Sequence, residues 1–403
     1  MRAVDENLIV VLPFDIRGTS DMEYLSESMV TILGNLLDGA GTVKEVDDAS
    51  VMERLLSKNG SVIGPSLGQD FASHFGAARF ILGSIVRAGS ENRISAQLYR
   101  ADGTPEEETV SSYTGDDDFM MAIDVLSAGL VGGLLTNPDQ DLSSLAAGTT
   151  SSFEALKHYL TAEKLVRGGR HQEAYDEIQL ALRLDSTFAL AWYLRAETQG
   201  WIDIFGGSTR ADVIMAHKYA DKLSGRARRL LDAYIAFNEG RAQDAARMYQ
   251  SIMRDYPDDI EVTGQLAEVY VHYSSKEVDQ TRALALLQRV NELTPGSQQF
   301  AFHHFDLLAH RGLLTGDFYG LDSLAAVYAG IEVPEWPITG LVDCPRSDEL
   351  RDTCRPGNVC PVHGLTGRQY RFLHYAEFGI CAVEKFCIRI CGPGRSFRKR
   401  PEL

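Results

Sequence analysis

The chain has 403 residues, of which 44% are hydrophobic and 24% charged, with a net charge of −17. That length leaves room for two or three domains, and the composition is that of an ordinary folded protein. An acidic balance of this size argues against a nucleic-acid partner, because phosphate recognition depends on Lys and Arg. No apolar run approaches the ~20 residues of a membrane span; the longest, Val125 to Leu135, contains three glycines. The opening Met1-Arg2-Ala3-Val4-Asp5-Glu6 lacks a basic segment followed by a long apolar one, so no signal peptide is expected. Both absences predict a cytoplasmic protein, or an extracytoplasmic one if the chain is a fragment of a membrane-anchored receptor.

Leu8-Ile9-Val10-Val11-Leu12 is a continuous β-type run stopped by Pro13, which predicts a buried strand followed by a loop over Asp15 to Asp21. Tyr24, Leu25, Met29, Ile32, Leu33, Leu36 and Leu37 then fall at helical spacing, with Gly39 as the stop. A short strand is expected over 43–46, and a helix over 49–58 with Asp48 as its N-cap. Another helix, 67–75, ends at Gly76. Segments 79–87 and 93–99 read as paired strands around Gly89-Ser90, and a third strand as 109–113. Asp116-Asp117-Asp118 reads as the acidic start of a helix through Leu135. The segment 138–150 reads as a linker.

From Ser151 to about Gly330 the pattern is helical throughout, and part of it repeats. Ala245 stands twelve residues before Pro257, and Ala283 twelve before Pro295, an offset of 38 residues. Such segments bury their apolar faces only by stacking on copies of themselves. Ala162, Ala174 and Ala181 mark a first unit. Trp192, Arg195 and Ala196 open a second, interrupted by a Gly-rich insertion from Trp201 to Ser208 before a helix around 216–223. Ala233, Ala245, Tyr249 and Pro257 mark a third. Leu266, Ala267, Tyr270, Ala283 and Pro295 mark a fourth, and 298–329 a degenerate fifth. In these positions the segment resembles a tetratricopeptide array. The first 137 residues resemble the TolB-like amino-terminal domain that precedes such repeats in bacterial regulators, among them adenylate cyclases and receptor-type serine/threonine kinases. That likeness is carried by residues 9–14, the loop from Gly18 to Leu25, and residues 74–85. Together the resemblances imply an α+β amino-terminal domain (1–137), a linker (138–150) and an all-α helical-repeat solenoid (151–330), followed by an irregular tail (331–403).

Candidate chemistry is sparse. Gly64-Pro65-Ser66-Leu67-Gly68 fits the G-x-S-x-G pattern of a nucleophile elbow, but Ser61-Val62-Ile63 is a poor strand and no βαβ succession surrounds it. No phosphate loop is present among Gly39, Gly41 and Gly60. His303 and His304 point about 100° apart on a helix, which prevents chelation from one face. The sequence therefore predicts no enzyme, no cofactor and no metal. All six cysteines lie in the last 63 residues, where 11 Lys+Arg face 7 Asp+Glu for a charge of +4, leaving −21 for the rest. Three readings of this tail stay open: a metal or disulfide module, a poorly ordered natural tail, and translation out of frame.

In tetratricopeptide arrays the first helix of each pair lines the concave surface through positions 2, 5, 9 and 12. Carried onto this chain, the resemblance assigns the partner-binding groove to Tyr159, Glu163, Tyr193, Glu197, Tyr234, Phe237, Glu261 and Glu268. A groove so lined is aromatic and acidic and is expected to take an apolar or basic protein or peptide partner. The function implied is a non-enzymatic interaction scaffold. The alternative is a sensory or regulatory segment of a larger bacterial signalling protein whose kinase or cyclase domain lies outside this chain.

Overall fold

The computed structural model describes residues 4–18, 21–58, 62–134, 150–202, 209–223, 225–273, 277–295, 298–315, 317 and 319–328. The linker apart from Thr150, most of the Gly-rich insertion, and the tail with its six cysteines lie outside the described residues. The chain divides into two compact units, Met1–Thr294 and Pro295–Leu403. The first holds a mixed-sheet domain followed by a run of consecutively packed helices, a helical-repeat architecture. Among the described residues no helix is long and apolar enough to cross a membrane.

The sheet domain runs β1 (Asp5–Val11), β2 (Asp15–Arg17), α1 (Leu25–Leu37), β3 (Lys44–Glu45), α2 (Asp48–Ser57), α3 (Pro65–Phe75), β4 (Ala77–Ala88), β5 (Glu91–Arg100), β6 (Pro105–Tyr113) and α4 (Asp116–Leu134). Its strand order is β3-β1-β4-β5-β6, with β2 also paired to β4. β1 is parallel to both of its neighbours, so it is apolar on both faces, and Leu8 to Leu12 are all buried. β4, β5 and β6 form an antiparallel meander in which Asn92, Ile94, Ala96 and Leu98 alternate inward. α4 packs on β5 and β6 over that inner face, and α3 packs on β4 from the other side, where Phe80 stacks on Tyr99 at 5.1 Å.

Three details depart from the expected elements. Asp47, not Asp48, caps α2 by accepting from Ser50 N at 3.1 Å, which leaves Asp48 to accept from Thr31 Oγ1. Residues Asp15–Arg17 form a strand rather than a loop: Pro13 has no N–H to give the ladder, but pairing with β4 resumes two residues later. The third strand begins at Pro105, because Glu106 bridges Arg79 at 2.9 Å and Arg100 at 2.7 Å and so ties its acidic start to the sheet. An acidic edge strand also discourages further pairing.

The helices that follow pair as hairpins: α5 (Phe153–Arg167) with α6 (His171–Leu184), α7 (Ala189–Ile202) with α8 (Thr209–Lys218), α9 (Gly225–Asn238) with α10 (Ala242–Asp255), and α11 (Ile260–Tyr273) with α12 (Glu277–Leu293). The alanines that mark the repeat in the sequence, from Ala162 through Ala196, Ala233, Ala245 and Ala267 to Ala283, are each 0% exposed. They sit where helices cross, and a larger side chain would push the crossing apart. The first and third hairpins also share a closure. Gly169 (φ 70) and Gly240 (φ 75) end the first helix of each. Arg170 N then donates to Leu165 O, and Arg241 N to Ala236 O, both at 2.9 Å, the long bond of a Schellman motif. Each Arg next pairs with the acid three residues on, Glu173 or Asp244.

One continuous apolar core runs from the sheet domain into the array, with Phe119 on α4 against Phe153 on α5 at 4.6 Å. In the second compact unit, α13 (Ala301–Thr315) packs on α14 (Tyr319–Tyr328) through Ala301, Phe305, Ala309, Leu321 and Leu324. His304 is buried within α13 and His303 half-buried. Ser66 lies exposed in the first turn of α3, after residues 62–64, which form no strand.

The tightest packing in the sheet predicts a contrast between two glycines. A Cβ on Gly83 would run into the buried Phe14 ring, whereas a Cβ on Gly132 of α4 would meet open space. Gly83→Ala should therefore cost about 1–3 kcal/mol by overpacking. Gly132→Ala should be neutral or stabilising by up to about 1 kcal/mol, because Ala is the better helix former. Urea denaturation of the full chain checks both signs.

Candidate interaction site and its charge network

The end of α5 and the start of α9 meet the sheet domain through charged groups. α9 opens with Gly225 and Arg226. Gly225 has φ +53, and a Cβ on it would run into the Asp38 carboxylate, so position and conformation both call for glycine. This lets the Arg226 amide donate to Asp38 Oδ2 at 2.5 Å. Asp38 Oδ1 meanwhile accepts from Tyr256 OH at 2.8 Å and from the Glu45 amide at 3.1 Å.

The Arg226 side chain turns inward among three carboxylates. Nη2 reaches Glu261 at 2.7 Å, Asp259 at 3.0 Å and Asp47 at 3.2 Å, and Nε pairs with Asp259 as well. Burial works against the Arg226 charge, but Asp259, Glu261 and Asp47 outweigh it and hold the guanidinium protonated well above its usual range. One cation cannot satisfy three acids in a low-dielectric setting. Burial, with Asp259 beside it, therefore pushes the Asp47 carboxyl up to about 8 against the pull of Arg226. Glu261 is raised by burial and Asp259, again in part offset by Arg226.

Further pairs cross the same boundary. Arg167 of α5 faces Asp48 at 3.5 Å, Lys164 faces Glu27 at 3.5 Å, and Lys157 lies over the Tyr24 ring at 5.8 Å. Ser50 Oγ donates to Asp258 O at 2.6 Å. In the two ion pairs the array gives the cation and the sheet domain the acid; Lys44 with Asp255, at 3.9 Å, runs the other way.

The groove positions assigned from the sequence fall on the first helices of the hairpins, and most face inward. Tyr159, Tyr193, Tyr234, Glu197 and Glu268 are buried, while Glu163, Phe237 and Glu261 are partly buried. Their polar atoms turn largely to one another. Tyr159 OH donates to Glu163 at 2.6 Å, Tyr193 OH to Glu261 at 2.8 Å, Tyr234 OH to Ala196 O at 3.2 Å, and Gln265 Nε2 to Glu197 at 2.5 Å. Burial and the neighbouring carboxylates push all three phenols upward, so they stay protonated as donors. The rings form a chain: Tyr193 meets Tyr234 edge-on at 5.6 Å, Tyr234 meets Phe237 at 6.2 Å, and Phe237 meets Tyr273 at 5.4 Å. Only at the C-terminal end of this chain does an aromatic reach solvent, with Tyr273 46% exposed.

The residues that organise the site, Arg226, Asp38, Asp47 and Asp259, were not among those assigned from the sequence. A faint signal existed in Gly225-Arg226-Ala227-Arg228-Arg229, a basic run opening a helix in an acidic body, and in Asp258-Asp259 at the start of α11. Nothing in either run says that they meet.

Fold and site define a mixed-sheet domain locked onto a helical-hairpin array through a shared core and a buried ion network. No protein-family model matches the chain, and no curated protein matches it. Among solved structures, the lipoprotein GNA1162 of Neisseria meningitidis is similar at 14% identity over 27% of this chain and 81% of its own, with a TM-score of 0.23.

Removing the shared cation leaves buried acids without a counter-charge. Arg226→Ala should destabilise the full chain by about 3–5 kcal/mol. Lys164→Ala, at a 74% exposed side chain, should cost less than about 1 kcal/mol. Equal denaturation midpoints for the two variants would contradict the central place given to Arg226.

Proposed function

We propose that the chain is a non-enzymatic protein-interaction scaffold: a TolB-like domain followed by tetratricopeptide-like hairpins that hold a protein or peptide partner. The observation that carries this reading is the stack of hairpins sealed by fully buried alanines, a construction that yields a long continuous surface. On this reading the partner lies on the first helices at the end marked by Phe237 and Tyr273. The inner tyrosines support that surface from beneath, and Phe237 and Tyr273 offer it apolar anchors. The charge of −21 before the tail favours a basic segment with apolar side chains. No cofactor or metal enters this function.

The second reading is the sensory or regulatory segment of a larger bacterial signalling protein with its kinase or cyclase elsewhere. It draws support from the core shared by sheet domain and array, which couples the two parts.

The full chain is tested against an array of immobilised peptides graded in charge and aromatic content. Basic peptides with apolar anchors should be retained, and Tyr273→Ala should weaken retention by about tenfold, the size of an ordinary hot-spot loss, with unchanged far-ultraviolet circular dichroism. Retention of acidic peptides instead, or indifference to Tyr273→Ala, would remove this surface from the proposal.

A further inference from the structure

The contact between the sheet domain and the array contains more carboxylates than its cations can balance, and two of their oxygens have no partner. Glu45 is 6% exposed, and its Oε1 is buried without a hydrogen bond among the described residues. It stands on β3 behind α1, where a Cβ on Gly34 would meet its carboxylate at 2.8 Å, so the helix carries a glycine where the carboxyl lies. Glu163 Oε2, on the array side, is likewise buried without a partner. The two acids approach the boundary from opposite parts of the molecule.

The charges around them are as follows. From the sheet domain come Asp38 at the end of α1 and Asp47 and Asp48 at the start of α2, whose amide dipoles favour negative charge. From the array come Arg167 on α5, Arg226 on α9, and Asp259 and Glu261 at the start of α11, with Glu197 of α7 behind Glu261. Tyr159, Tyr193 and Tyr256 add neutral donors. Lys164 with Glu27, and Arg229 and Lys44 with Asp255, lie at the rim and are paired there. Arg167 and Arg226 are thus the cations inside this ring.

We propose that the sheet domain and the array form a proton-operated latch: Glu45 and Glu163 hold protons while the two parts are docked, and losing those protons separates them. The chemistry is proton release alone. Each carboxyl O–H gives its proton to water, and the new charge lies on an atom that nothing in the docked state solvates. Undocking admits water to both carboxylates and removes that cost.

The direction of titration agrees. Burial first, then Asp48, Asp38 and Asp47, raise Glu45 well above the usual carboxylate range. Burial, with Asp48, pushes Glu163 up to about 8, against Arg167 and Tyr159. A carboxyl raised in the docked state binds more protons there than when freed. Docking is therefore favoured at low pH and weakens as pH rises from the free value of 4.5 toward the docked one. Each such group changes the docking equilibrium by about tenfold per pH unit inside that window.

Hydrogen exchange of the full chain between about pH 6 and pH 9, corrected for the intrinsic pH dependence of exchange, reads the latch directly. The Arg226 amide, bonded to Asp38 across the boundary, should lose at least about tenfold protection. Amides in α10 around Tyr249 and Ile252 should stay protected. Glu45→Gln and Glu163→Gln, neutral and of the same shape, should each flatten the loss at the boundary. A pH-independent boundary would overturn the proposal. So would loss of boundary and α10 protection together, or Gln variants with the wild-type slope.

Discussion

One guanidinium shared by three carboxylates sets the terms for the rest of this molecule. Arg226 opens α9, yet its partners come from α2's cap, from the turn before α11 and from α11 itself. Burying ions is costly and is only partly repaid by their attraction, so a network of this kind forms only where surrounding apolar contact already holds the parts together. That contact is the core running from the central strand through Phe119 and Phe153 into the hairpins. The ions do not supply the adhesion. They decide which relative placement of sheet and array is allowed, because any other leaves Asp47, Asp259 or Glu261 buried and unpaired.

The same logic explains glycines that helix propensity alone would replace. Gly34 lies in the middle of α1, where glycine costs about 1 kcal/mol relative to alanine, and its missing side chain is the space taken by the Glu45 carboxyl. Gly225 lies where the Asp38 carboxylate must approach the start of α9. Both positions give up local stability to admit an acid into a crowded place. Two independent accommodations of acids at one boundary are hard to reconcile with charges left there by chance.

Much of the architecture was legible in the sequence because its determinants are local and periodic. The alanine spacing of the hairpins follows from helix crossings that recur, and the marked alanines are fully buried. Likewise the apolar run from Leu8 to Leu12 announced a strand covered on both faces. The errors were local as well. Asp47 and Asp48 are adjacent acids, and which of them caps α2 depends on Thr31, seventeen residues away, offering a donor to the other. β2 looked like a loop because Pro13 interrupts the ladder that β4 then restores. The charge network was not legible, since Arg226 and Asp47 are separated by 179 residues and neither carries a periodic signal. The resemblance assigned Tyr159, Tyr193 and Glu261 to helices that open hairpins, but it could not say what would already be bonded to them.

Those tyrosines bear on how an acidic protein of this kind can hold together at all. Tyr159, Tyr193 and Tyr256 each give a phenolic hydrogen to a buried carboxylate. A lysine in the same places would bring a strongly hydrated charge and a flexible stem, with its own desolvation cost. A phenol brings a donor on a rigid apolar ring, and the surrounding acids push its own ionisation further out of reach. The inner surface can therefore be aromatic and acidic without being highly charged, provided that the acids with a buried oxygen left unpaired remain neutral. At Glu45 and Glu163 the balancing positive charge is a proton, the one counter-ion whose supply changes with the surroundings.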